Sequence, residues 1–95
     1  MAKGTQYRVA TTDTPQSLIS KDAAGNPCNY LTMVCETNNV RVAINAVPTQ
    51  GASGVGTLLY PGDVIEIDGV ADVAGMQFIS AANGVAGALQ VIPEY

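Results

Sequence analysis

The sequence contains no histidine and no tryptophan. Histidine is the usual general base near neutral pH and the most frequent side-chain metal ligand, so its absence excludes Ser–His and Cys–His nucleophile pairs and histidine-based metal sites. Tryptophan commonly forms the flat platform of carbohydrate-binding β-sandwiches, and here the only aromatic residues are four tyrosines and one phenylalanine. These absences favour a protein that is not an enzyme and that uses no cofactor.

Charge is also scarce, because Asp, Glu, Lys and Arg together make up 13% of the chain, against about 25% in an average protein. Eight acidic residues outnumber four scattered basic ones, and the net charge is −4. Without a basic stripe to neutralise phosphates, we expect no direct binding of nucleic acid. Residues 42–62 and 73–93 carry no charged side chain. This favours a surface that is partly covered in an assembly, although a Gly/Ala/Ser/Asn-rich surface that stays soluble without charge remains an alternative.

Long apolar runs are absent as well. The first residues contain no apolar segment of the kind found in signal peptides, and no run of 18 apolar residues exists, so neither secretion nor a membrane span is expected. The two cysteines, Cys28 and Cys35, lie seven positions apart. Two residues at an odd offset in one strand point to opposite faces, so we expect two reduced thiols in a cytosolic protein, with Cys35 in the core and Cys28 near a turn.

The sequence is organised around residues 56–69. Two apolar runs, 57–60 and 64–67, flank the pair Pro61-Gly62, which suits the two central positions of a tight turn. Asp63 can accept hydrogen bonds from the local backbone, so the stretch predicts a β-corner between two core strands. The side chains predicted to enter the core here are Leu58, Leu59, Ile65 and Ile67.

Alternating polar and apolar residues predict further strands on both sides of this corner. A strand at 29–36 should place Leu31, Met33 and Cys35 on one face. A strand at 40–46, with Arg41 outward, should form a hairpin with it through the loop Thr37-Asn38-Asn39. Its predicted inward residues are Val40, Val42, Ile44 and Ala46. The other predicted strands lie at 5–10, 17–20, 76–80 and 88–95, and residues 70–75 form either a crossing segment or a turn of helix.

The last two strands should form a hairpin through a type I′ turn at Asn83-Gly84, with Pro93 at a sheet edge. The whole pattern predicts a single all-β domain over residues 1–95. It is a small antiparallel β-sandwich or jelly-roll-like barrel of about 7–8 strands, with a short N-terminal arm at about residues 1–4.

Two patterns suggest chemistry, and both have simpler structural explanations. The turn Pro61-Gly62-Asp63 before an apolar strand is similar to the second motif of cupin barrels, but cupin metal centres depend largely on histidine. The acidic group Asp63, Glu66, Asp68 and Asp72 could serve glycoside hydrolysis or weak calcium binding. Its spacing does not match an EF-hand loop, which favours a solvated strand face with turn-capping aspartates.

The order of short motifs from residue 29 to residue 95 resembles small β-sandwich virion proteins of tailed bacteriophages. The motifs are Val-Arg-Val at 40–42, Pro-Thr at 48–49, Gly-x-Leu-Leu-x-x-Gly-Asp at 56–63, Gln-Phe-Ile-Ser at 77–80 and a final strand that contains Ala-Leu-x-Val at 88–91. Proteins of this type act as capsid decoration or minor capsid subunits. The resemblance implies the major capsid protein as partner, a homo-oligomer such as a trimer, and a location on the virion after assembly in the host cytoplasm.

Such a protein works through its surface, so the predicted functional residues are contact residues rather than catalytic ones. They belong to the loop after the 40–46 strand, to the β-corner and to the C-terminus: Pro48, Thr49, Gln50, Ser53, Val55, Tyr60, Pro61 and Tyr95. The alternative is a head- or tail-associated binding module for carbohydrate or a host surface, in which Tyr60 or Tyr30 would contact the glycan.

Overall fold

The computed structural model describes residues 4–18 and 25–95. Most of the predicted N-terminal arm, and parts of the predicted strand at 17–20 and of the loop after it, lie outside the described residues. The described chain forms eight strands and one short helix. These are β1 (Tyr7–Ala10), β2 (Gln16–Ser17), β3 (Tyr30–Thr37), β4 (Val40–Ile44), β5 (Thr57–Leu59), β6 (Val64–Asp68), α1 (Val70–Ala74), β7 (Met76–Ser80) and β8 (Ala88–Glu94).

The strands form two four-stranded antiparallel sheets, in the orders β1-β8-β3-β6 and β2-β7-β4-β5. We call these sheet A and sheet B. The first strand pairs with the last, the second with the seventh, the third with the sixth and the fourth with the fifth. The chain is therefore one long antiparallel ribbon, rolled up so that β8 also pairs with β3 and β7 with β4. This is the jelly-roll arrangement, and it confirms the predicted fold class.

Four of the links that carry the chain from one sheet to the other lie at the same end of the sandwich. They are residues 11–15, 38–39, 60–63 and 81–87, and we call this end the corner end. Backbone hydrogen bonds join neighbouring corners: the Thr11 amide donates to the Gly87 carbonyl (2.9 Å), and the Gly62 amide donates to the Cys35 carbonyl (2.7 Å). The opposite end of the sandwich holds the starts and ends of the three remaining links, residues 18–29, 45–56 and 69–75.

Both predicted hairpins are wrong. β3 and β4 lie in different sheets, because both edges of β3 are occupied by β8 and β6, and both edges of β4 by β7 and β5. A register shift between Cys35 and Thr37 and a left-handed Asn38 (φ 53) turn the chain across the sandwich. Residues 81–87 likewise connect two sheets, and Asn83 does not have the positive φ that a type I′ turn requires, whereas Gly84 does (φ 74).

The core lies between the two sheets and follows the predicted alternation. Leu31, Met33 and Cys35 are buried on the inner face of β3, as predicted, and Val40 and Val42 face them from β4. At the β5–β6 corner the prediction holds for Leu59 and Ile67, which are buried, and Ile65 packs partly buried against them. It is wrong for Leu58, which is half-buried outside the core cluster. Burial of a Leu or Ile side chain contributes about 1.5–3 kcal/mol, so this sandwich core is the main source of stability.

Sheet B is also covered on its outer face. Arg41, Ala43 and Ile79 lie on that face, and all three are buried. Ile44, at the end of β4, is predicted to point inward but is 40% exposed. Arg41 lies on the predicted outer face of the strand, but it is not exposed to solvent, because residues 48–56 fold back over this face. Pro48 is buried with them.

Pro93 does not mark a sheet edge, because β8 pairs with β1 on one side and β3 on the other. Its carbonyl accepts a hydrogen bond from the Gly4 amide (2.8 Å). Since the nitrogen and carbonyl of one strand residue point to the same side, the missing N–H faces the chain that precedes β1, which begins only at Tyr7. The residues of 70–75 form a helical turn, the second of the two predicted options, and it is closed by Gly75.

Candidate docking groove at the corner end

An open groove of about 620 Å³ lies between the corners and the 48–56 loop. Its position follows from the rolled ribbon, since three corners and the folded-back loop meet there. The lining residues come from four segments of the chain: Asn38, Asn39, Arg41, Gly51, Ala52, Leu58, Tyr60, Pro61, Ala81, Ala82 and Val85. Arg41 is the one charged residue among them. The groove therefore combines apolar walls with a single positive charge, and we call it the corner groove.

Arg41 is 7% exposed and is bound by backbone carbonyls rather than by a carboxylate. Nη1 donates to the Gly56 carbonyl (2.8 Å), and Nη2 donates to the Gly51 carbonyl (3.0 Å) and more weakly to that of Ala52 (3.5 Å). Nε is buried without an acceptor in the described part of the chain. The only ion pair among the described residues joins Arg8 and Glu36 elsewhere. A cation removed from water without a counter-ion is costly, and the three carbonyls offset only part of that cost.

Gly54 allows this arrangement. A Cβ at this position would lie 2.7 Å from Nε of Arg41 and would also collide with the Thr49 carbonyl oxygen. The loop can therefore close over the guanidinium only with glycine there. Its backbone is fixed further by the Thr49 amide donating to the Val55 carbonyl (3.1 Å) and by the Gly51 amide donating to the Ala81 carbonyl (2.9 Å).

Asp13, in the β1–β2 corner, holds two other segments near the groove. Its Oδ1 accepts hydrogen bonds from Nε2 of Gln50 (2.8 Å) and from the Gly84 amide (2.9 Å). These two donors, the Gly84 amide first, lower the pKa of the Asp13 carboxyl below its usual value. The ionised carboxylate thus connects the 48–56 loop with the 81–87 corner.

The β-corner at 60–63 forms the opposite wall of the groove. The Asp63 amide donates to the Tyr60 carbonyl, and the Tyr60 amide donates back to Oδ2 of Asp63, both at 2.9 Å. With Pro61 second and Gly62 at φ 95 third, this is a type II turn, as the residue types predict. The turn presents the Tyr60 side chain, which is 54% exposed, at the mouth of the groove.

The predicted contact residues fall into separate groups. Tyr60 and Pro61 line the corner groove, and the exposed Ser53 lies in the neighbouring loop. Thr49 and Gln50 are engaged in holding that loop, since Oγ1 of Thr49 accepts from the Val55 amide (2.7 Å). The prediction for Pro48 is wrong, because its side chain is fully buried.

Tyr95 lies at the opposite end of the sandwich from Tyr60. It follows β8, whose first residue, Ala88, lies at the corner end and whose seven residues lead away from it. At about 3.3 Å per residue the strand separates the two ends by roughly 20 Å. Tyr95 is partly buried against the core.

Val55 lines a second, more apolar groove of about 310 Å³. It lies beside the far end of β4 and the start of β5, and Ile44, Ala46 and Thr57 contribute to its walls. Val55 is 48% and Ile44 40% exposed. None of the residues lining this groove is charged.

The acidic residues singled out in the sequence do not converge on one site. Asp63 belongs to the turn, Glu66 and Asp68 are exposed on β6, and Asp72 lies on α1. Across residues 4–18 and 25–95, no three His, Cys, Asp or Glu side chains are grouped so that they could hold a metal ion. A hydrogen bond with Glu66, with a smaller effect of burial, raises the pKa of Tyr30 on the adjacent strand.

Both cysteines are free and buried. Sγ of Cys35 donates to the Asn38 carbonyl (3.1 Å), and Sγ of Cys28 donates to the Tyr30 carbonyl (3.2 Å). Burial, and secondarily the negative charge of Asp63, raises the pKa of the Cys35 thiol. Since the thiolate is the nucleophilic form, the arrangement makes Cys35 a packing residue rather than a reactive one.

Comparison of the chain with protein-family models, curated proteins and solved structures finds no match in any of the three. In the part of the chain that the structure describes, no helix has the length and apolar character needed to cross a membrane.

Sequence reasoning missed much of the corner groove. Strand alternation predicts an outward Arg41, and the residue types of 81–87 predict only a turn. One signal was available, because Arg41 is the only charged residue between Glu36 and Asp63. A lone cation opposite a glycine-rich loop is a reason to expect that the loop carbonyls bind it.

Proposed function

We infer that this chain is a structural subunit that binds a protein lattice, with the major capsid protein of a tailed bacteriophage as its partner. It acts there as a capsid decoration or minor capsid protein. The observation that carries the proposal is the largely apolar lining of the corner groove, in which Arg41 is the one charged residue. Tyr60 is 54% and Val85 44% exposed there, and an aromatic anchor beside apolar side chains is typical of the centre of a protein interface.

Two further points support the proposal. The motif order from residue 29 to residue 95 resembles that of small phage virion proteins, and jelly rolls occur in viral capsid domains, although the fold alone does not define a function. Many copies that each bury a modest area stabilise a lattice collectively. A homo-oligomer, such as a trimer placed at a symmetry axis, would raise the contact area of each docking event.

The test combines localisation with matched variants. Mass spectrometry and electron microscopy of particles assembled from the genome that encodes this chain should find it on the head surface. Val85→Ser, in the groove, should reduce its occupancy, while Val64→Ser, at an exposed position on β6 outside the groove (56% against 44% for Val85), should not. Absence from purified particles would contradict the docking function, and equal occupancy of both variants would contradict the corner groove as its contact surface. Sedimentation analysis of the free protein tests the trimer separately.

A carbohydrate-binding module is the second candidate, favoured by the exposed Tyr60 ring beside the Asn39 amide in the groove. It requires glycan affinity that falls when Tyr60 is replaced by alanine, since ring stacking would contribute much of the contact. Val85→Ser and Tyr60→Ala would then both lower glycan binding, whereas a glycan array without any bound sugar would exclude this function.

A further inference from the structure

The corner groove contains a buried cation that no acidic side chain neutralises among residues 4–18 and 25–95. The guanidinium of Arg41 satisfies its Nη groups on loop carbonyls, but a carbonyl carries only a partial charge, so the full positive charge persists. Around it the protein is of low polarisability, which leaves the charge less screened than on an open surface. Arg41 is therefore the one positive charge in the groove lining of a chain with net charge −4, and the carboxylates of Asp13 and Asp63 lie in the neighbouring corners, outside that lining.

The rest of the lining suits a peptide rather than a compact ion. Leu58, Pro61 and Val85 supply apolar contact along the groove. Tyr60, at its mouth, exposes more than half of its surface, and Asn39 contributes an amide. A groove of about 620 Å³ is large enough for several side chains.

We propose that the corner groove binds an extended segment of the partner protein that places an aspartate or glutamate side chain over Arg41. This inference deepens the proposed docking function and rests on it for the identity of the partner. Charge complementarity selects the acidic residue, while Tyr60 and the apolar walls contact its neighbours. The bound carboxylate would supply the counter-charge that Arg41 lacks within the described chain.

The direct test uses two capped pentapeptides, each of four alanines around a central glutamate or a central glutamine, titrated into the ¹⁵N-labelled protein. At low salt the glutamate peptide should bind about fivefold more tightly, which is the factor expected for one partly shielded charge pair. The preference should disappear at 0.5 M NaCl, where the screening length is only a few ångström. Shifted amides should cluster around the groove, at Asn39, Ala52 and Ala82.

Two variants that add the same charge separate this groove from the general surface. Ala82→Glu places an acid in the exposed lining of the groove and should abolish the preference for glutamate over glutamine. Val47→Glu adds the same charge at a 59% exposed position outside the groove and should change neither affinity. Both sites are exposed, so folding is expected to be intact, and the dispersion of the amide spectrum verifies it.

The inference is overturned if both peptides bind equally, if Ala82→Glu and Val47→Glu behave alike, or if inorganic phosphate displaces the glutamate peptide at lower concentration than free glutamate does. Particle binding by the same variants distinguishes the two proposals. Capsid occupancy that is equal in both variants rejects the groove assignment but leaves docking intact. Peptide preference without any capsid binding by the unmodified protein rejects the docking function alone.

Discussion

Replacing Arg41 by methionine tests whether this buried cation holds the 48–56 loop on sheet B. Methionine keeps an unbranched stem of similar length and removes the guanidinium. Two short hydrogen bonds are lost, to the carbonyls of Gly56 (2.8 Å) and Gly51 (3.0 Å), together with a longer one at 3.5 Å. The carbonyls that accepted them lose a charged donor, which is the main destabilising effect.

The magnitude follows from two opposing contributions. Hydrogen bonds to a charged group are worth about 1.5–3 kcal/mol each, so the two short ones contribute about 3–6 kcal/mol. Removing Nε, which is buried without a partner, recovers about 1–3 kcal/mol of desolvation cost. The net loss should be about 2–3 kcal/mol, which lowers the thermal midpoint of a domain of this size by roughly 10–20 °C.

Urea unfolding and amide hydrogen exchange measure the two consequences. The unfolding midpoint should fall, and the amides of Thr49, Gly51 and Gly54, which donate to loop and corner carbonyls, should lose protection. Arg8→Met is the matched control. Arg8 and its ion-pair partner Glu36 are both exposed, with side-chain exposures of 53% and 42%. Solvent screening therefore leaves that pair little net stabilisation.

The reasoning fails if R41M and R8M unfold at the same urea concentration, or if the loop amides of R41M keep their protection. Either result would mean that packing of the buried loop residues, rather than the guanidinium, holds the loop in place.

Three further outcomes are expected. Gly54→Ala should displace the loop and destabilise the protein by more than Gly51→Ala, because the first Cβ collides with neighbouring atoms whereas the second meets open space and costs only about 1–2 kcal/mol for its positive φ (+96); equal urea midpoints would contradict this. The thiols of Cys28 and Cys35 should react with a disulfide reagent only as fast as the protein unfolds, since both are 1% exposed and burial raises the pKa of Cys35; rapid labelling of the native protein would refute it. The folded-state pKa of Asp13 is lowered, so its stabilising contribution is complete above its ordinary pKa of about 3.9 and is lost as pH falls through the lower folded value. Asp13→Asn should therefore flatten the decline of stability in that acidic range. An unchanged pH profile would show that the carboxylate is not involved.

One part of the candidate site, the turn at residues 60–63, was predictable from the sequence. The residue types at Tyr60-Pro61-Gly62-Asp63 specify a turn, and the structure has that turn with the aspartate capping it. Because such geometry depends on four consecutive residues, local chemistry is enough to predict it. Exposure of Tyr60 follows from its place on the turn. What the turn faces depends on segments distant in sequence, including 81–87, and no local pattern contains that information.

The burial of Arg41 and Pro48 shows the same limit. Strand alternation places Arg41 on the outer face of β4 correctly, but it cannot indicate that a loop returns to cover that face. Pro48 looks like an exposed loop residue by composition, yet its side chain is fully buried. Burial is a property of the packed chain, and a strand residue on an outer face is exposed only when nothing folds over it.

The amino-acid sequence by itself determined the strands, the turn positions and the inward faces, because these depend on alternation and on the backbone preferences of Gly, Pro and Asn over a few residues. Only the tertiary structure decided which strands pair. The link at Asn38-Asn39 is short enough for a hairpin, but a hairpin would leave Leu31 and Val40 on one sheet instead of facing each other across a core. Rolling the ribbon buries both apolar faces at once and brings the corners together at one end, and this arrangement creates the groove around Arg41.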